Sequence, residues 1–373
     1  MNSATNLAAM VAWLSFAIAF AVGVISARTQ FCTLGAVSDI VNMGDFSRMR
    51  MWVLAMAVAI LGAQILYATG LIDLSKAYYV RPGVTWFSYI VGGLSFGVGM
   101  TLSSGCGSRT LVRIGGGNVK SLVVFVFLGV SAYMTMKGLF GVWRVGYLDP
   151  VAIDVAARGS NTQELGSLLA ATLGVTRKSA QIGTAVVIAL AMLVFVVANS
   201  EFRRNLDGWL GGLGYGLAVT AGWYVSGHMG FGENPDTLEE VFFGTNSRTI
   251  ESLTFVAPVA YSLELLMMWS DKSLAMTFGI ASTAGMILGS LSYYLITRKF
   301  RWEGFANVED TRNHLFGAML MGFGGVTALG CTIGQGVTGV STLAIGSFLA
   351  LLAMIAGCWA TLKYQYWKLM QEA

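Results

Sequence analysis

The sequence predicts an all-α polytopic membrane protein with about nine transmembrane helices and short re-entrant helices, arranged as two inverted, pseudo-symmetric halves. Three observations predict it. Hydrophobic residues fill 55% of 373 positions and charged residues only 11%, against about a quarter charged in a soluble domain. The chain holds 47 glycines but 4 prolines, a balance suited to close helix contacts and to breaks that line a cavity. The pairs Gly105-Cys106 and Gly330-Cys331 each close an apolar, glycine-rich run, 225 residues apart. On that offset Ile90-Val91-Gly92-Gly93 falls on Leu315-Phe316-Gly317-Ala318, and Ile90 to Thr135 matches Leu315 to Ala360 without a gap. A duplicated half with equivalent embedded cysteines points to a site where the halves meet.

Nine stretches approach the about 20 mainly apolar residues that span the hydrocarbon core: 11–27, 50–71, 87–104, 119–140, 180–199, 209–226, 274–296, 314–329 and 343–363. The first ends in small residues like a signal peptide. No Lys or Arg precedes it, so it is expected to stay as the first span. Arg48/Arg50, Lys76/Arg81, Arg177/Lys178, Arg203/Arg204 and Arg298/Lys299/Arg301 punctuate the rest. Residues Ser252 to Trp269 are apolar but interrupted by Pro258 and Glu264, and they occupy the slot opposite 31–44, so a re-entrant or broken helix is expected there. Ser160-Asn161-Thr162-Gln163-Glu164 resembles a helix N-cap opening a short helix on the outer surface.

Four spans, one linker span and four spans divide the chain into 11–140, 141–208 and 209–363. The odd linker inverts the second half. Counting Lys and Arg on alternate sides gives nine on the side of the N-terminus and fourteen on the other. The positive-inside bias then places the N-terminus outside and the C-terminus in the cytoplasm. The segments of Cys32 and Cys106 enter from the cytoplasmic side and that of Cys331 from outside, leaving a funnel on each side.

Chemistry concentrates at three places. Gly105-Cys106-Gly107-Ser108-Arg109-Thr110 and Gly330-Cys331-Thr332-Ile333-Gly334-Gln335-Gly336 are partners in the repeat. Glycine permits tight turns and uncovered N–H groups, and a short helix starting at each cysteine aims a positive end into the pore, where it attracts anions. Phe31-Cys32-Thr33-Leu34-Gly35-Ala36 follows the first span. Its slot in the second half, near Gly227-His228-Met229-Gly230, has no cysteine. Arg109 and Arg113 can draw anions inward or serve as inner anchors. Glu264 is the one tempting proton site in an apolar stretch, with a structural role as the alternative. Cys358 lies mid-span without a partner and reads as a packing residue. His228 and His314 read as structural, since no ligand set joins them at metal spacing.

These motifs resemble those of the YeeE/YedE family of sulfur-compound permeases, on Phe31 to Ala36, Ser104 to Arg109 and Leu329 to Gly336, and the resemblance extends over nearly the whole chain. It implies an hourglass-like helical fold in the bacterial inner membrane, thiosulfate uptake, and a small TusA-like sulfur carrier on the cytoplasmic side. The family's functional cysteines then fall on Cys32, Cys106 and Cys331. Gly105, Gly330 and Arg109 complete the expected substrate site. Thiosulfate is a dianion with a large, soft terminal sulfur, and a thiol is a weak donor that holds such an atom loosely, as passage requires. The order would run from Cys331 through Cys106 to Cys32. An ionised thiol would repel a dianion, so the relay needs protonated cysteines.

No enzymatic chemistry and no cofactor are expected. No CxxC pair, zinc-ligand spacing or GxxxxGK[ST] loop occurs, and the net charge of +4 is too small and scattered for nucleic acid. The alternatives are an intramembrane thiol/disulfide oxidoreductase cycling Cys106 and Cys331, a permease for another sulfur or selenium species, and a channel or scaffold whose cysteines only pack.

Overall fold

A computed structural model describes residues 3–156, 161–234 and 238–372. Fifteen α-helices are formed among them: α1 (Ser3–Thr29), α2 (Thr33–Met43), α3 (Ser47–Ala68), α4 (Trp86–Leu102), α5 (Gly107–Gly115), α6 (Val119–Lys137), α7 (Leu139–Trp143), α8 (Leu165–Leu173), α9 (Arg177–Val197), α10 (Ser200–Arg204), α11 (Leu206–Tyr224), α12 (Ala257–Met267), α13 (Phe278–Ile296), α14 (Val308–Thr327) and α15 (Ile345–Glu372). Strands β1 (Gly83–Val84) and β2 (Ile153–Asp154) pair antiparallel, as do β3 (Phe231–Glu233) and β4 (Glu240–Phe242). The molecule is an all-α polytopic membrane protein.

The nine predicted stretches fall on α1, α3, α4, α6, α9, α11, α13, α14 and α15. Seven helical segments are long and apolar enough to cross a bilayer, and they include α1, α3, α4, α6, α9, α13 and α15. Helices α11 and α14 have 19 and 20 residues but open on charged first turns, with Asp207 and with Glu309 and Asp310. Acidic residues there favour a helix start, and Asn205 and Asn307 cap the two helices by accepting from the N–H groups of Gly208 and Asp310. Helix α12 has 11 residues, about 16 Å at the α-helical rise, too short to span. Pro258 stands in its first turn, where a missing N–H costs nothing.

Glycines set the helix packing. A Cβ at Gly92 would lie 2.8 Å from the Gly324 carbonyl oxygen, and one at Gly99 would lie 2.6 Å from that of Gly317. Rising number on α4 therefore meets falling number on α14: the two helices run antiparallel in backbone contact. Helix α1 packs on α13 and α11 on α3; α15 packs on α4 and α6 on α14; α2 packs on α3 and α15, and α12 on α13 and α6.

The expected N-cap around residue 160 forms differently. Ser160 lies outside the described residues, and the residue preceding α8 is Glu164, whose buried carboxylate binds Arg177 at 2.6 Å and accepts from Ser167 at 2.9 Å. The adjoining backbone is stitched to the start of α15: Leu165 N–H donates to Leu343 O at 3.0 Å and Ile345 N–H to Gln163 O at 3.1 Å. A buried carboxylate needs a bonded cation, and Arg177, thirteen residues on, supplies it.

Candidate functional site

The three cysteines share one local construction. Helices α1, α4 and α14 each end, and two residues before the cysteine comes a non-glycine residue in the left-handed region: Gln30 (φ 56°), Ser104 (φ 56°) and Leu329 (φ 61°). At α4 the Gly105 N–H donates back to Met100 O at 2.9 Å, and at α14 Gly330 N–H donates to Gly325 O at 2.7 Å. These are Schellman closures, which satisfy the last carbonyls of the helix. Ser104 and Leu329, and not the neighbouring Gly105 and Gly330, carry the left-handed angle. The glycines matter for approach. A Cβ at Gly105 would meet the Arg109 side chain at 3.2 Å, and one at Gly330 would meet the Gln335 side chain at 3.1 Å.

After each break the cysteine starts a second helical run. Cys32 and Cys106, in extended conformation, are the residues preceding α2 and α5. Cys331 precedes a helical run over 332–341 that contains a π-helical turn at Gly334–Gly339. Cys106 precedes α5 without a side-chain cap bond, whereas at Cys32 and Cys331 the sulfur accepts from the N–H three residues on, Gly35 at 3.5 Å and Gly334 at 3.3 Å. This is the bonding of a helix N-cap with sulfur as the acceptor. It uses a sulfur lone pair and leaves the S–H proton free to donate.

The turns converge. The thiols of Cys32 and Cys106 are neighbours, and the Thr332 hydroxyl, buried without a hydrogen-bond partner among the described residues, stands near Cys106. Ser108 Oγ is 3.3 Å from Cys106 Sγ, and Thr254 Oγ1 is 4.0 Å from Cys331 Sγ. All three cysteines are free thiols, exposed by 8%, 1% and 0% in chain order. Arg109 sits beside Cys32: its Nη2 donates to Gln30 Oε1, while its buried Nη1 has no hydrogen-bond partner among the described residues. The Thr33 hydroxyl, next to Cys32, is likewise buried without one. Unmatched buried donors are costly unless something else binds them.

Two cavities flank this centre. One, about 340 Å³, is lined by Tyr79, Thr254 and Tyr261 and ends on Leu329 and Gly330, just short of Cys331. The other, about 320 Å³, lies between Thr29, Asp39, Arg48 and Asp207, at the outlet of α1 and the flank of α2, whose cap is Cys32. They sit at opposite ends of the bundle. The second adjoins the start of α3, the first adjoins the end of α6, and the chain reverses at α4 between them.

The remaining candidates separate from the site. Cys358 lies within α15, whose backbone at that point abuts Gly97 of α4. Glu264 is held by Lys137 at 2.9 Å and by the Tyr133 hydroxyl at 2.9 Å. His314 lies 3.0 Å from Asp310, His228 stacks on Tyr224, and no metal-ligand group of three occurs among the described residues. Sequence reasoning missed Tyr215, whose ring stacks on Phe31 at 4.0 Å and whose hydroxyl is 2.5 Å from Ser26 Oγ. It also missed Thr254. Their signal is tertiary, since α11 and the 250s reach the cysteines only through folding.

A family model described as sulphur transport matches residues 28–360. The chain is 25% identical over 369 residues to "Thiosulfate transporter TsuA" of Spirochaeta thermophila, covering 93% of this chain and 97% of that protein. It is 24% identical over 341 residues to "Thiosulfate transporter TsuA" of Escherichia coli, covering 90% of each.

Proposed function

Because the chain belongs to the sulphur-transport family, we propose that it takes up thiosulfate, or a closely similar inorganic sulfur anion, across the bacterial inner membrane. The anion passes from Cys331 to Cys106 to Cys32 through weak S–H contacts. The observation that carries this reading is the threefold recurrence of a cysteine at the point where a helix breaks and a second helical run begins, with a sulfur N-cap at Cys32 and Cys331. Each such break pairs a donor thiol with a helix N-terminus. The helix end attracts the dianion, and the thiol holds its soft sulfur weakly enough for release. The unmatched Nη1 of Arg109 and hydroxyl of Thr33 offer hydrogen bonds beside Cys32, on the proposed exit side.

The halves 11–140 and 209–363 are proposed to be inverted repeats joined by 141–208. Equivalent helices α4 and α14 run antiparallel, and Gly92 and Gly99 exchange with their repeat partners Gly317 and Gly324 across the crossing, as a two-fold axis in the membrane plane requires. In this scheme the second-half slot of α2 belongs to α12, which opens at Val256, rather than to residues 227–230. The N-terminus faces outside and the C-terminus the cytoplasm, so the 340 Å³ cavity is the entry funnel and the Cys32 side is the exit. There a TusA-like carrier would accept the sulfur species. All four cysteines are free and no CxxC occurs, which favours passage over thiol/disulfide chemistry.

The test is uptake of labelled thiosulfate by cells lacking other sulfate and thiosulfate permeases, with wild type and Cys106→Ala at equal membrane abundance. Uptake by wild type and its loss in the variant support the reading. Absence of uptake by wild type removes thiosulfate as the substrate.

A further inference from the structure

The cavity above Cys331 lies on the proposed path of a dianion, yet a carboxyl group stands in its wall. Among its lining residues are two cations, Lys137 and Arg144, and a single acid, Glu251. The cations are already tied to other acids. Lys137 Nζ is 2.9 Å from Glu264 Oε1, and Arg144 Nε is 3.4 Å from Asp149 Oδ2. Neither neutralises Glu251. The groups that face it are phenols: Tyr78 and Tyr79 from the 78–80 turn and Tyr261 from α12, all neutral at physiological pH. Cys331 lies beyond Tyr79 at the floor of the cavity.

An ionised Glu251 would repel a dianion twice as strongly as a monoanion at the same distance, in a partly buried place where water screens poorly. A protonated Glu251 would instead supply an O–H donor to an anion. The local bonding leaves room for that proton. Ser247 N–H donates to Glu251 Oε1 at 2.7 Å, and a carboxyl group has further acceptor sites and one position for a proton. Burial raises the carboxyl above its ordinary value, with the Ser247 hydroxyl and the N–H groups of Ser247 and Asn246 pulling the other way and failing to cancel it.

We propose that Glu251 is a further substrate-handling residue: in its protonated form it donates a hydrogen bond to the anion in the outer cavity before transfer to Cys331, and in its ionised form it closes the cavity to the anion. The inference rests on the uptake reading above and adds a proton requirement located at one side chain. No bond is made or broken in the anion. The proton stays on Glu251 or returns to the outer solution.

The experiment is the initial rate of labelled thiosulfate uptake by cells expressing the full chain, with external pH varied from the ordinary carboxyl range upward, about 4.5 to about 8, where thiosulfate stays a dianion. Wild type should slow as pH rises, approaching about tenfold per unit, the limit for one proton. Glu251→Gln retains a carbonyl to accept from Ser247 N–H and cannot ionise. It should show a flat profile and exceed wild type at the alkaline end. Glu251→Asp should keep a slope. A wild-type slope unchanged in Glu251→Gln, or a flat wild-type profile, overturns the inference and leaves the uptake reading standing. No uptake by wild type at any pH overturns both.

Discussion

The turns at Cys106 and Cys331 are built on one plan and differ in charge. Both follow a Schellman closure with a non-glycine residue in the left-handed region, and both start a second helical run at the cysteine, whose sulfur accepts from the N–H three residues on at Cys331 but not at Cys106. After Cys106 the run is a regular nine-residue helix that carries Arg109 and Arg113. After Cys331 the equivalent positions in the repeat are Gly334 and Thr338, the run contains a π-helical turn, and Gly334 to Gly339 are buried. There Gly336 sits against Trp52, where a Cβ would lie 2.2 Å from the ring. The two turns thus present a thiol after the same helix break, and they differ in the helical winding that follows and in side-chain charge. A neutral first stop and a cationic second one give the proposed passage a direction.

This comparison can be broken at three levels. The largest effect belongs to the crossing that holds both turns. Gly99→Leu places a Cβ 2.6 Å from the Gly317 carbonyl. Backbone cannot yield as a side-chain end can, so a loss of about 1–3 kcal/mol or more is expected, read as lowered thermal stability in detergent and lowered membrane abundance. Unchanged stability would mean that α4 and α14 are not in backbone contact.

Next is the charge that distinguishes the turns. Arg109→Gln removes a hydrogen bond to an anion worth about 1.5–3 kcal/mol, so KM for uptake should rise by about tenfold or more. Gly334→Arg, at the equivalent position, should block passage, because the site has no room beside Thr254. An unchanged KM in Arg109→Gln would return Arg109 to the role of an inner anchor. The smallest effect is Cys358→Ala. Its thiol packs in α15 beside Thr101 of α4 and lines neither cavity, so uptake should stay within about twofold while stability falls by about 1 kcal/mol.

Much of this was legible in the sequence, for reasons that can be located. The 225-residue offset set Gly92 opposite Gly317 and Gly99 opposite Gly324, and all four glycines stand in the α4–α14 crossing, Gly92 on Gly324 and Gly99 on Gly317, because close crossings favour glycine and so leave a mark in composition. The three cysteine motifs were legible because a soft, reactive side chain flanked by glycine inside an apolar run is unusual. Gln30, Ser104 and Leu329 were not. A left-handed residue is normally glycine, and nothing local marks Gln30, Ser104 and Leu329 as positions that carry that angle. Glu164 was read within a surface cap, because nothing local shows that Arg177 and the start of α15 would bury it. Tyr215, Thr254 and Glu251 reach the site from segments with no periodic or motif signal, and their roles arise only when α11 and the loop before α12 fold over the cysteines.

The central claim is that the cysteines act as thiol donors to a soft sulfur, so the most direct measurement replaces sulfur by oxygen at the middle position. Cys106→Ser keeps a small donor at the start of α5 and changes its hardness and length. The account predicts labelled thiosulfate uptake reduced by about tenfold or more at equal membrane abundance, the loss expected when a bond to a charged ligand is weakened by about 1.4 kcal/mol. Uptake within about twofold of wild type would contradict it, and would leave Cys106 as a residue that shapes the turn without touching the anion.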